Sequence, residues 1–231
     1  MSSSSLWLWR DLTPRSGVAH MALDEALLRL APQPVLRAYH WEASELTIGF
    51  FTPQAAVADS PLPVTRRWTG GGVVEHGSDL TFALAIPRPC LPPLARAADR
   101  YREIHEAVAS ALRDAGYDRA VPTPSTRPDP VQPGFCFAAP VAWDLLDRDS
   151  GEKIAGGAQR LGRSGLLHQG SIRLPAPWSR PDHAWLDALA RRLSPDGICE
   201  SPPQDWLDAV HALADSLAGD RYAQPDWLGR R

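Results

Sequence analysis

The sequence predicts an α+β domain: a mostly antiparallel sheet with helices packed on it. Its periodicities run helix, strands, helix, strands, helices, without the strict strand–helix alternation of a doubly wound fold. Hydrophobic residues make up 44% of the 231, enough for a sizeable core. Twenty-three prolines against 17 glycines imply stiff connections between short elements.

Residues 1–16 are read as an N-terminal tail and first strand, with the serine-rich stretch Met1–Ser5 frayed, and 17–231 as one catalytic domain. In residues 18–30 (VAHMALDEALLRL), Ala19, Leu23, Ala26, Leu27 and Leu30 recur with a helical period until Pro32 and Pro34 break it. Strand-like runs follow at 35–41, 46–51, 64–69, 72–76 and 80–86, parted by turn residues. Residues 94–115 fit a long helix stopped by Gly116. Five prolines over 121–134 predict a loop. Three more strand-like runs cover 138–147, 152–161 and 165–174, and helices close the chain around 182–193 and 202–218. For the last helix, Ser201 and Gln204 suggest a capping box and Gly219 a C-cap.

Composition excludes several classes. A net charge of -3, thinly spread, does not suggest a nucleic-acid surface. No apolar run approaches the ~20 residues of a membrane span, and the N-terminus lacks the regions of a signal peptide. Three scattered cysteines, Cys90, Cys136 and Cys199, suit neither a disulfide framework nor a metal site, and a reducing cytoplasm is the simplest setting. One feature is sharper. Of 24 basic residues, Lys153 is the only lysine. A position that keeps lysine where arginine is the rule suggests a need for a compact ammonium on a flexible stem.

Four segments carry possible chemistry. In RRWTGGGVVEH (66–76), Gly70, Gly71 and Gly72 lie between strand-like runs, where glycine allows close backbone approach or positive φ. With Arg66 and Arg67, such a turn offers N–H groups and a guanidinium to a carboxyl, phosphate or pantetheine-like group; a plain hairpin turn is the alternative. In GEKIAGGAQR (151–160), Ala155 and Gly157 are expected to clear space beside Lys153, whose ammonium would stabilise charge on a carbonyl oxygen. Cys136, between two phenylalanines after the proline loop, is either a small core residue or a nucleophile forming a thioester. His76 and His168 flank glycine turns as bases or orienting groups; the other histidines read as ordinary, and Asp24 and Glu25 as structural acids on different helix faces.

RRWTGGGVVEH, GEKIAGGAQR and LLHQGSI, in that order with AHMALDEALL and LTIGFF, resemble the biotin/lipoate protein ligase superfamily over roughly residues 17–175. Within it they are similar to the lipoate-ligase A and LipM-type octanoyltransferase branch. The resemblance implies a lipoate-ligase/biotin-ligase catalytic-domain-like fold, an acyl tunnel under the triple-glycine loop, and Lys153 contacting the acyl carbonyl. Substrate-binding positions carried over are Arg67, Thr69, Gly70, Gly71, Gly72, Val74, His76, Ala155, Gly156, Gly157, Ala158, His168 and Gly170. Cys136-Phe137-Ala138-Ala139-Pro140 stands 17 positions before Lys153, as in the transferases, which implies catalytic Cys136 and Lys153 and no cofactor. The donor would be octanoyl-acyl carrier protein, and the acceptor a lipoyl-domain protein such as glycine cleavage H protein or a dehydrogenase E2 subunit. The alternatives are a ligase using ATP and Mg, and a non-catalytic lipoate-binding module. His20, Trp68 and the order His168-Gln169 depart from the family pattern, which usually has asparagine, proline and Gln-His.

Overall fold

The computed structural model describes residues 5–91, 96–124, 137, 140–176, 178, 184–194, 196 and 199–230. In chain order its elements are β1 (Leu6–Arg15), α1 (Gly17–Leu30), β2 (Val35–Trp41), β3 (Glu45–Ile48), β4 (Val64–Arg66), β5 (Val73–His76), β6 (Leu80–Pro87), α2 (Ala97–Asp114), β7 (Ala120–Pro122), β8 (Leu145–Asp147), β9 (Lys153–Leu161), β10 (Gly165–Ile172), α3 (Ala184–Leu193), β11 (Cys199–Glu200), α4 (Gln204–Leu217) and α5 (Pro225–Leu228). The large sheet has the order β11-β1-β2-β6-β10-β9-β8-β7 and the small one β4-β3-β5. In the large sheet only β11–β1 and β1–β2 are parallel, so the expected mostly antiparallel α+β architecture is what forms.

Both faces of the large sheet are covered. On one, α2 and α3 pack Ile104, Val108, Leu112 and Leu189 onto Leu8, Leu36, Phe82 and Leu84. On the other, α1 and α4 pack Leu23, Leu27 and Val210 onto Val35, Tyr39, Ala85 and Leu167. Strand β10 lies between these layers, and all eight of its residues are buried. Such a strand need not alternate apolar with polar groups, because neither face meets water. No helix among the described residues is long and apolar enough to cross a membrane.

Several expectations need correction. Ser5 is not frayed: it is buried and accepts a hydrogen bond from Gln33. The run 46–51 stops at Ile48 because Gly49–Thr52 turns back, Thr52 N–H donating to the Gly49 carbonyl. The run 64–69 stops at Arg66. Among the described residues of 138–147 only Leu145–Asp147 is strand; just before it, Asp144 accepts the Val141 N–H and Trp143 sits at φ 70, a turn that delays pairing. Ala138 and Ala139 lie outside the described residues. Pro203, not Ser201, precedes α4, with no side-chain cap. Gly219 does not end that helix, because the chain continues through a π turn, Ala218–Tyr222.

Candidate active site

The triple-glycine turn is held by Arg67, while Arg66 holds the neighbouring turn after β3. Arg67, nearly buried, donates to the Thr47 carbonyl and hydroxyl (3.0 and 2.6 Å) and to the carbonyls of Gly70 and Gly72 (3.0 and 2.9 Å). Its planar fork therefore serves the turn itself. Arg66, fully buried, donates to the carbonyls of Gly49, Phe50 and Thr52 and, across the fold, to Trp227 and Leu228. At the apex Gly71 takes φ 86, which a side chain would resist. Gly70 has open space where a Cβ would stand.

Behind the turn, Thr69 donates to Gln169 (2.6 Å), and Gln169 donates to Asp24 (2.7 Å). Asp24 also accepts from Arg37 (2.7 Å) and Tyr39 (3.0 Å). Burial pushes the Asp24 carboxyl up, against the pull of Arg37 and its other donors. Glu25, its neighbour, turns to Arg221 and Tyr222, so the two acids face apart. Val74 lies half-buried on β5. His76, buried and stacked on Trp41 at 4.0 Å, is bonded on both ring nitrogens, to Asp79 (2.7 Å) and Thr47 (2.8 Å). Burial lowers the His76 pKa, against the pull of the Asp79 carboxylate. Ser171 and Thr81 complete the set by donating to Asp79.

Strand alternation divides the remaining predicted positions between two faces. Gly156 and Ala158, paired with Ser171 and Gln169, lie toward the glycine turn. Ala155, Gly157, His168 and Gly170 lie on the α2 face, where Phe82 fills the space beside Gly170 and His105 packs on His168 at 5.4 Å. Of this stretch it is Gln169, between His168 and Gly170, that bonds Thr69 beside the glycine turn. His105 and His168 are fully buried with their Nε2 atoms unpaired, each within 3.0 Å of where a Gly157 Cβ would be. Burial lowers both pKa values, that of His105 to about 3.

Lys153 stands at the edge where β8 leaves β9. Its side chain is 5% exposed, and Nζ lies 2.7 Å from Asp144 Oδ2. Space for the amine comes from Gly156, where a Cβ would stand 2.7 Å from Nζ, not from Ala155 and Gly157. A register shift between Leu145 and Leu146, opposite Lys153 and Ala155, is what puts Lys153 out of phase with the rest of β9. Over the amine lies the Phe137 ring, 5.4 Å from Nζ and 4.3 Å from the guanidinium of Arg173. Arg173 donates to the Glu75 carbonyl and lines a cavity of about 370 Å³ with Trp41, Ser44, His76 and Ser78. Phe137 is the residue after Cys136; Cys136 itself lies outside the described residues. Neither Asp144 nor Arg173 carried a sequence signal, and Gln169 stood out only through its order with His168. The fold also gathers arginines that the sequence scatters, Arg160 and Arg230 both lying over Phe50. Among the described residues no group of three or more His, Cys, Asp or Glu could hold a metal ion.

A buried ammonium and an arginine-held glycine turn thus stand on the sheets of one α+β domain. Residues 16–184 match the Lipoyl protein ligase A/B catalytic domain, and the chain belongs to that family. It is 34% identical over 183 residues to octanoyltransferase LipM of Staphylococcus aureus, covering 72% of this chain and 65% of that protein. The chain thus spans slightly less than two thirds of the curated relatives it matches. In fold it is similar to protein Ta0514 of T. acidophilum with bound lipoic acid, at TM-score 0.73 and 22% identity over 97% of this chain and 99% of that one. It is also similar to the bipartite lipoate protein ligase of Thermoplasma acidophilum, studied with its E2 lipoyl domain, at TM-score 0.69 and 20% identity over 97% and 96% of the chains.

Proposed function

We propose that the protein transfers an octanoyl group to a lysine of a lipoyl-domain protein through a thioester on Cys136. The supporting observation is the setting of Lys153: the chain's one lysine is buried, ion-paired, and packed against the ring that follows Cys136. The names of the curated relatives agree with octanoyl transfer, and the lipoyl domain studied with the Thermoplasma ligase agrees with such an acceptor.

In the first step the Cys136 thiolate attacks the carbonyl carbon of an octanoyl thioester carried by acyl carrier protein. The donor leaves as its thiolate, and one thioester replaces another. Lys153 donates to the carbonyl oxygen as it gains charge. In the second step the acceptor lysine's neutral amine attacks the enzyme thioester, Cys136 leaves as thiolate, and the amine loses its extra proton to solvent. An amide replaces a thioester, a downhill exchange that needs neither nucleotide nor metal. The test is intact mass after incubation with octanoyl-acyl carrier protein. An octanoyl adduct that disappears in Cys136→Ser and moves to a lipoyl domain is expected. No adduct, with lipoate-dependent AMP formation that survives Cys136→Ala, would instead establish a ligase.

A further inference from the structure

We infer that Asp144 and Tyr101 are positioning residues for the Lys153 ammonium, a role that rests on the transfer reading above. Asp144 is fully buried, and its carboxylate gathers three donors from three parts of the fold. Lys153 Nζ lies 2.7 Å from Oδ2, the Val141 N–H donates to the same oxygen at 2.7 Å, and the Tyr101 hydroxyl donates to Oδ1 at 2.6 Å. Its backbone is fixed too, its carbonyl accepting the Thr123 N–H at 2.8 Å. Tyr101, on α2, in turn accepts the Gly157 N–H at 2.9 Å. One carboxylate therefore sets the relation of the 141–144 turn, α2 and the exposed edge of β9.

This matters because a lysine amine on four methylenes has many rotamers and a nearly isotropic charge. Asp144 removes that freedom before substrate arrives. Gly156 lies against amine and carboxylate alike: a Cβ there would stand 2.7 Å from Nζ and 3.2 Å from Asp144 Oδ1, so its absence leaves room for the pair. With the ammonium aimed in advance, its donor meets the acyl oxygen without reorganisation, the condition under which such a donor is most effective. Neither Asp144 nor Tyr101 needs to touch substrate.

Because there is one lysine, labelling the protein with ¹⁵N-lysine gives a single side-chain ammonium resonance, visible only while its hydrogens exchange slowly. Asp144→Asn keeps the shape and the acceptor for Tyr101 but removes the charge partner. The expected result is a fall in kcat of about 10–100-fold with KM for the octanoyl donor unchanged, together with loss of the resonance. Asp144→Glu should recover part of kcat, and Tyr101→Phe should show a smaller loss in the same direction. Gly156→Ala displaces the amine without altering any charge, so it should move the resonance and lower kcat even where Asp144→Asn folds poorly. Unchanged kcat in Asp144→Asn and Gly156→Ala, losses that only track the folded fraction, or an unmoved resonance would each overturn the assignment. A wild-type protein that transfers no octanoate would defeat the function, and the resonance alone would then decide the positioning role.

Discussion

Lys153 shows what a single position reveals before and after folding. Its isolation among 24 basic residues was visible in composition, and the structure gives the isolation a place, 5% exposed against a carboxylate. Asp144 was not legible, because an aspartate nine residues upstream meets the amine only through a turn and a register shift. The same limit hid Gln169: with every residue of β10 buried, burial alone does not say which of two adjacent side chains faces the glycine loop. Lys153→Arg should lower the acyl-transfer rate by about 10²–10³-fold, the cost of one lost oxyanion donor. A planar guanidinium is longer than the space over Gly156 admits and aims its N–H groups in a fixed fork. Single-turnover transfer from octanoyl-acyl carrier protein checks this, and near-normal rates would remove Lys153 from the chemistry. The amine's burial has a second, simpler consequence. A succinimidyl ester should leave Lys153 unmodified in the native protein and label it once the chain is unfolded, as peptide mapping would show.

At the scale of elements, most helices and strands were legible because each keeps one periodicity and ends at glycine or proline. Many of the failures were at ends, where turns built by tertiary hydrogen bonds replaced the local signals; β7, which runs into the stretch read as a proline loop, and β11 and α5 had no counterpart in the sequence reading. Strand β9 makes the point through its two adjacent glycines, which look equivalent in sequence. Gly156 faces the amine, whereas a Cβ on Gly157 would stand 2.6 Å from His168 Nε2 in the layer under α2. Gly157→Ala should therefore act on stability, costing about 1–3 kcal/mol by overpacking. Chemical denaturation would measure it, and an unchanged midpoint would mean that the two rings move aside freely. Arg66 ties two distant elements in a comparable way. Its guanidinium joins the turn after β3 to the carbonyls of Trp227 and Leu228 at the end of α5, and lysine cannot span both. Arg66→Lys should cost about 2–4 kcal/mol by leaving buried carbonyls unpaired. It should also expose the C-terminal turn to proteolysis before the rest of the chain.

For the whole molecule, buried histidines set the response to acid. Burial lowers His20 and His105 from 6.5 to about 3, and lowers His76 and His168 as well. A histidine with a depressed folded pKa binds its proton more readily in the unfolded chain, so its stabilising effect is complete above pH 6.5 and is lost as pH falls from there toward 3. Each such group contributes a slope of up to about 1.4 kcal/mol per pH unit, so His20 and His105 together remove roughly 4 kcal/mol by about pH 5. That is comparable with the whole stability of many domains. Asp24 and Glu45, raised by burial, work the other way as they take up protons, while Asp79, held at about 2, contributes its own loss only in stronger acid. Stability to denaturant should therefore begin to fall below about pH 6.5, ahead of the carboxylate range. His20 allows a direct check. Its Nδ1 accepts from Arg37 at 2.8 Å and its Nε2 donates to the His40 carbonyl at 2.9 Å, a pair of roles that an asparagine amide can also fill. His20→Asn should fold and flatten the slope between pH 6 and 4 by about 1 kcal/mol per pH unit, the share of one proton. A slope unchanged by that substitution would show that His20 keeps its proton in the native fold, with the buried Arg37 cation beside it.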